Sequence, residues 1–79
     1  MRAMVLIRLR PQDTQNLMHA FKEIKGVKEA NLVHGPYDCV LKLIGENLEA
    51  INEIVSQIRA LSGIEETMTC LIIQSWVAE

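Results

Sequence analysis

Gly26 and Gly63 stand 37 residues apart (63 − 26), and sliding the chain over itself by that offset, without a gap, lays like residues together. Leu6 falls on Leu43, Leu17 on Ile54, Phe21 on Ile58, Ile24 on Leu61, Val27 on Ile64 and Glu29 on Glu66. Two copies are too few for a solenoid, in which stacked repeats bury a continuous core. The offset instead predicts one pattern used twice within a single domain, residues 1–79. At 79 residues such a unit buries barely enough apolar surface to stand alone, so it will want help from association.

The pattern can be read from periodicity and breakers. Ala3 to Leu9 is an apolar run stopped by Pro11 and reads as a buried strand. After Asp13, a good N-cap type, Leu17, Phe21 and Ile24 recur at helical spacing until Lys25 and Gly26. Val27 to His34 and Tyr37 to Ile44 read as two strands of a hairpin broken by Gly35 and Pro36. Asn47 is placed to cap a second helix carrying Leu48, Ile51, Val55 and Ile58 and ending near Ser62 and Gly63. Ile64 to Trp76 reads as the last strand. The order β-α-β-β-α-β is the split βαβ of an α+β, ferredoxin-like fold. Right-handed crossovers then put both helices on one face of a four-stranded antiparallel sheet of order 4-1-3-2.

Hydrophobic residues form 49% of the chain and aromatics only 4%, so aliphatic side chains must build the core. On the first strand Val5, Ile7 and Leu9 oppose Met4 and Leu6; on the last, Leu71 and Ile73 oppose Met68, Cys70 and Ile72. Both sheet faces are thus expected to be apolar, whereas a half-solvated antiparallel sheet alternates apolar with polar. A homodimer with facing sheets, of the dimeric α/β-barrel type, follows as the expectation.

A net charge of −2 with mixed signs and no basic run argues against direct nucleic-acid binding. No membrane-length apolar run and no signal-peptide pattern is present, so the expected location is cytoplasmic. Cys39 and Cys70 are too few and too far apart for a disulfide framework or a zinc site, and both are expected to be buried hydrophobes. His19 lies off the apolar stripe of its helix, and Glu65, Glu66, Lys22, Glu23 and Lys25 read as solvated surface. Met18, Val55 and Trp76 read as packing or interface. No metal or cofactor is implied.

The richest short stretch is His34-Gly35-Pro36-Tyr37-Asp38 at the hairpin turn. Gly35 is free to take φ > 0 and bring backbone N–H groups near a ligand, and Pro36 stiffens the loop; a plain turn would use the same residues. Thr67 and Thr69 alternate onto one face of the last strand, where Thr is also simply a good strand former. Turn and strand start share one end of the sheet but lie on opposite edges of it. A site joining Asp38 to Thr67 and Thr69 is therefore most easily assembled between subunits. A carboxylate for an ammonium group and hydroxyls for a carboxylate would suit a small amino acid.

Gly26-Val27, Gly35-Pro36-Tyr37-Asp38, Gly63-Ile64 and Thr67-Met68-Thr69-Cys70-Leu71-Ile72, in this order and spacing, resemble the effector-binding RAM (regulation of amino-acid metabolism) domain of the Lrp/AsnC regulators. The resemblance spans essentially the whole chain. It implies the β-α-β-β-α-β fold, dimerisation through sheets, assembly into octamers or similar oligomers, and amino-acid binding between subunits. It places Gly35, Tyr37 and Asp38 on the family's Gly-x-Tyr/Phe-Asp loop, and Thr67 and Thr69 on its Thr-rich last strand. His34 and Cys70 depart from the residues common at their positions. The first strand starts at Ala3 with no helix-turn-helix before it, so the resemblance is to the stand-alone form, whose expected partners include full-length Lrp/AsnC regulators.

Two rival readings remain at this level. Small ferredoxin-like dimers include monooxygenases and isomerases, since fold alone does not set function. Against catalysis, no nucleophile–base spacing and no Gly-rich phosphate loop is present, although His34 lies beside the turn. The other rival is an assembly module without a ligand.

Overall fold

A computed structural model describes residues 1–11 and 14–79. Strand β1 (Arg2–Leu9) leads to helix α1 (Thr14–Glu23), strands β2 (Val27–Leu32) and β3 (Cys39–Ile44), helix α2 (Leu48–Arg59) and strand β4 (Ile64–Ile72). The Asp13 cap expected for α1 lies outside the described residues. Asn47 does cap α2: its side-chain oxygen accepts the Ala50 amide at 2.9 Å. The sheet order is β2-β3-β1-β4 with antiparallel pairing throughout, so the chain has the ferredoxin-like α+β fold.

Residues directly opposite in a ladder share a face. Ala3, Val5 and Ile7 of β1 stand opposite Leu43, Leu41 and Cys39 of β3, and all six are buried. Leu17, Phe21 and Ile24 from α1 and Ile51, Ile54, Val55 and Ile58 from α2 complete this core.

The repeat holds in the helices and the turns that end them. Gly26 and Gly63 both adopt positive φ, 100° and 91°, as each chain half leaves its helix for a strand. Phe21 accepts the Ile24 amide, as Ile58 accepts that of Leu61. In β1 and β3 the gap-free offset fails. It pairs Ile7, fully buried, with Ile44, 45% exposed, and puts Leu6 on the open face against Leu43 in the core. The core residues of these strands match at 36 (39 − 3), because a strand's period of two turns a one-residue slip into a change of face.

Three strand ends fall short of expectation. β4 stops at Ile72, not Trp76, because Ile72 pairs with Arg2 and β1 offers no residue beyond it. β2 and β3 end at Leu32 and begin at Cys39, with one further bond from the Val33 amide to the Asp38 carbonyl closing the ladder.

The face away from the helices carries Met4, Leu6, Val40, Met68, Cys70 and Ile72, as register dictates. It is not wholly apolar as expected. Opposed charges sit near its two edges: Arg8 lies 3.6 Å from Glu66, and Lys42 lies 3.5 Å from Glu29. The Asn31 amide, bonded to Glu29 at 3.0 Å, and the Lys42 ammonium together hold the Glu29 carboxyl below its ordinary range. Cys70 is exposed rather than buried, since β4 is an edge strand and, among the described residues, no helix or strand covers this face.

Candidate functional site

The hairpin turn is anchored by its acidic residue. The Asp38 amide donates to the Ile7 carbonyl at 2.9 Å, and one Asp38 carboxylate oxygen accepts the Leu9 amide at 2.8 Å. The β1–β3 ladder ends at the Ile7–Cys39 pair, and beyond it the carboxylate takes the place of a strand partner for the Leu9 amide. Asp38 borders a cleft of about 370 Å³ with Leu9, Arg10, Thr14, Leu32 and Val33.

Tyr37 goes elsewhere. Its hydroxyl lies 3.7 Å from the Met68 sulfur, and the Arg8 guanidinium stands 5.2 Å from its ring centroid. Tyr37 thus spans β1 on the open face and links the turn to the middle of β4 inside one chain. Gly35 is neither at positive φ nor close to any group, since a Cβ added there would meet nothing within 4 Å. The freedom expected of it is used instead at Gly26 and Gly63.

Thr67 and Thr69 stand opposite Ile7 and Val5, which puts them together on the helix-facing side of β4, as alternation predicts. Thr67 is half-buried and Thr69 exposed. Thr67 borders a second cleft, of about 330 Å³, with Arg59, Ile64, Glu65 and Glu66. Asp38 and Thr67 thus border different clefts of the chain.

Sequence reasoning gave Arg8 no role. It forms an ion pair with Glu66 and stacks over Tyr37, placing a cation between the turn and β4. A lone cation on the apolar side of a strand run was the available signal. Cys39, fully buried, has its thiol pushed up to about 11 by burial, which keeps it neutral. Among the described residues no cluster of His, Cys, Asp and Glu is arranged to hold a metal ion, and no helix is long and apolar enough to cross a membrane.

Residues 2–79 match the Lrp/AsnC ligand binding domain, which covers both the turn and the Thr-bearing strand. The chain belongs to the Lrp/AsnC family. Among solved structures, this Lrp/AsnC domain resembles TTHA0845 from Thermus thermophilus, with 36% identity, a TM-score of 0.87 and 98% of each chain covered. The HTH-type transcriptional regulator LysM of Sulfurisphaera tokodaii is 29% identical over 76 residues, which are 95% of this chain and 54% of LysM. Homocitrate synthase of Saccharolobus solfataricus is 31% identical over 61 residues, 77% of this chain and 13% of that enzyme. The domain therefore spans about half of one such relative and a small part of the other. The regulator NMB0573 from Neisseria meningitidis, solved as a complex with L-Met, shares the fold at a TM-score of 0.87 with 11% identity, covering 98% of this chain and 52% of that one. Family and regulator relatives together support an effector-binding, regulatory role.

Proposed function

We propose that residues 1–79 act as one unit that binds a small amino acid at the boundary between subunits and passes the binding event on through its assembly. Asp38 supplies the acceptor for the ligand's ammonium group. One of its oxygens already takes the Leu9 amide, but a carboxylate has room for several donors, and that bond fixes the side chain's direction. Thr67 and Thr69 supply hydroxyl donors for the ligand carboxylate, and Gly35 and Tyr37 shape the turn. Because Asp38 and Thr67 border different clefts of one chain, two subunits complete the site, each giving one part.

The observation that carries this reading is the family match running unbroken through the turn and the Thr strand. The L-Met complex of a protein with the same fold is in keeping with it. The open sheet face supplies the association: Met68 is 46% exposed there, beside Met4, Leu6 and Val40. Facing sheets make a dimer, and further contacts at the clefts build a higher oligomer such as an octamer.

The partner that reads the effector is a full-length Lrp/AsnC regulator, joined through the same surfaces in a mixed oligomer. The homocitrate synthase similarity favours a second reading, in which the domain serves an enzyme instead of a DNA-binding chain. Thermal unfolding with each of the twenty amino acids tests the ligand: one bound at 100 times its dissociation constant adds about 2.7 kcal/mol. Stabilisation by a subset, lost in Asp38→Asn, supports the proposal. No shift with any of them counts against it.

A further inference from the structure

Beyond Ile72 the chain leaves the sheet, and its apolar side chains are the most exposed of the molecule. Ile73 is 98% exposed, Trp76 86% and Val77 78%, whereas Met68 and Ile44 on the sheet are 46% and 45% exposed. The segment does not run off into solvent. Trp76 and Val77 form one wall of a cleft of about 570 Å³ whose other wall is the end of the open sheet face, with Arg2, Met4, Lys42 and Ile44. One chain thus holds an exposed apolar tail and the end of the open face, where Arg2, Lys28, Glu29 and Lys42 flank Met4 and Ile44, on either side of a gap that neither fills.

We propose that the segment Ile73–Val77 is an arm that closes on a second copy of this chain, gripping it against the open sheet face. In a two-fold dimer each surface is used twice, so each copy gives one arm and receives one. Self-complementarity is what selects a second copy: the face that needs covering and the apolar segment that needs burying occur on the same chain and are continuous at Ile72. Charge agrees, since the pairs Arg8–Glu66 and Lys42–Glu29 leave mixed signs along the edges of the face instead of one repelling sign. A Trp is also the side chain that most often anchors such contacts. This inference rests on the facing-sheet dimer proposed above and adds which segment holds it shut.

Trp76 is the single tryptophan of the chain, so its fluorescence reports the arm directly. Emission and acrylamide quenching are followed through a dilution series, with molar mass read by light scattering on the same samples. The expected result is a blue-shifted, poorly quenched Trp76 in the dimer that becomes red-shifted and quenchable as the mass halves. Trp76→Ala and a chain ending at Ile72 should each weaken association by roughly tenfold or more. Their circular dichroism should be unchanged, because the arm contributes nothing to the buried core. A dimer whose Trp76 quenches like the denatured chain, or whose affinity survives both changes, overturns the arm and leaves the facing sheets standing. A monomer at every concentration overturns both. A blue shift produced only by added phosphatidylcholine vesicles would assign the arm to a membrane surface and overturn the second copy.

Discussion

The Asp38 carboxylate accepts the backbone amide of Leu9 across 29 residues of chain, at 2.8 Å. The bond pins the β2–β3 turn to the irregular end of β1. The residue proposed to hold an effector's ammonium group is thus itself held by the fold. Asp38→Ala leaves the Leu9 amide without its partner and should cost about 1.5–3 kcal/mol. Asp38→Asn keeps an acceptor and should cost less than half of that. Urea unfolding of the two variants checks the pair; equal losses would mean that the amide bond contributes little.

The glycines make opposite predictions. A Cβ at Gly26 would lie 2.3 Å from the Ile54 Cδ1 atom, at a backbone φ of 100°. Gly26→Ala therefore combines left-handed strain of roughly 1–2 kcal/mol with overpacking of roughly 1–3 kcal/mol. Gly35→Ala meets nothing within 4 Å and has no positive φ to relieve, so its melting temperature should stay near the parent's or rise slightly. Differential scanning fluorimetry on both variants separates them.

That contrast shows how far the sequence could be read. Periodicity and the Gly26–Gly63 spacing located all six elements, because an amphipathic helix and a strand stamp their periods on the apolar residues. The true ends of β2, β3 and β4 were not legible, since a strand ends where its partner does. The partner of Ile72 is Arg2, 70 residues away (72 − 2). At the candidate site the residue types were legible and their directions were not. Tyr37 turns to Arg8 and Met68, while its neighbour Asp38 turns to Leu9, and nothing local in a Gly-Pro loop fixes that division.

The two cysteines should differ in chemistry. Cys39 is fully buried, with its thiol pushed up to about 11, while Cys70 is exposed. At a dilution where the proposed dimer has come apart, a thiol reagent at pH 8 should modify Cys70 and spare Cys39, with both reacting in denaturant. The linkage sign follows. The Cys39 thiol is neutral in both states below its ordinary value of 9.0; above it the unfolded chain loses the proton while the folded chain keeps it until about 11. Stability should therefore decline as pH rises through that window, and Cys39→Ala should remove this part of the slope. A Cys39 that labels as fast as Cys70 would contradict the burial.

The claim that two subunits complete one amino-acid site is tested most directly by mixing two defective chains. One carries Asp38→Asn, and the other carries Thr67→Val with Thr69→Val. Each alone should fail to bind the amino acid that stabilises the parent. Unfolded together and refolded, they should recover binding at roughly a quarter of the sites, because random pairing in a symmetric oligomer brings an intact Asp38 to an intact Thr pair that often. Calorimetric titration counts those sites. No recovered binding in mixed oligomers, or full binding by either variant alone, would contradict the shared site.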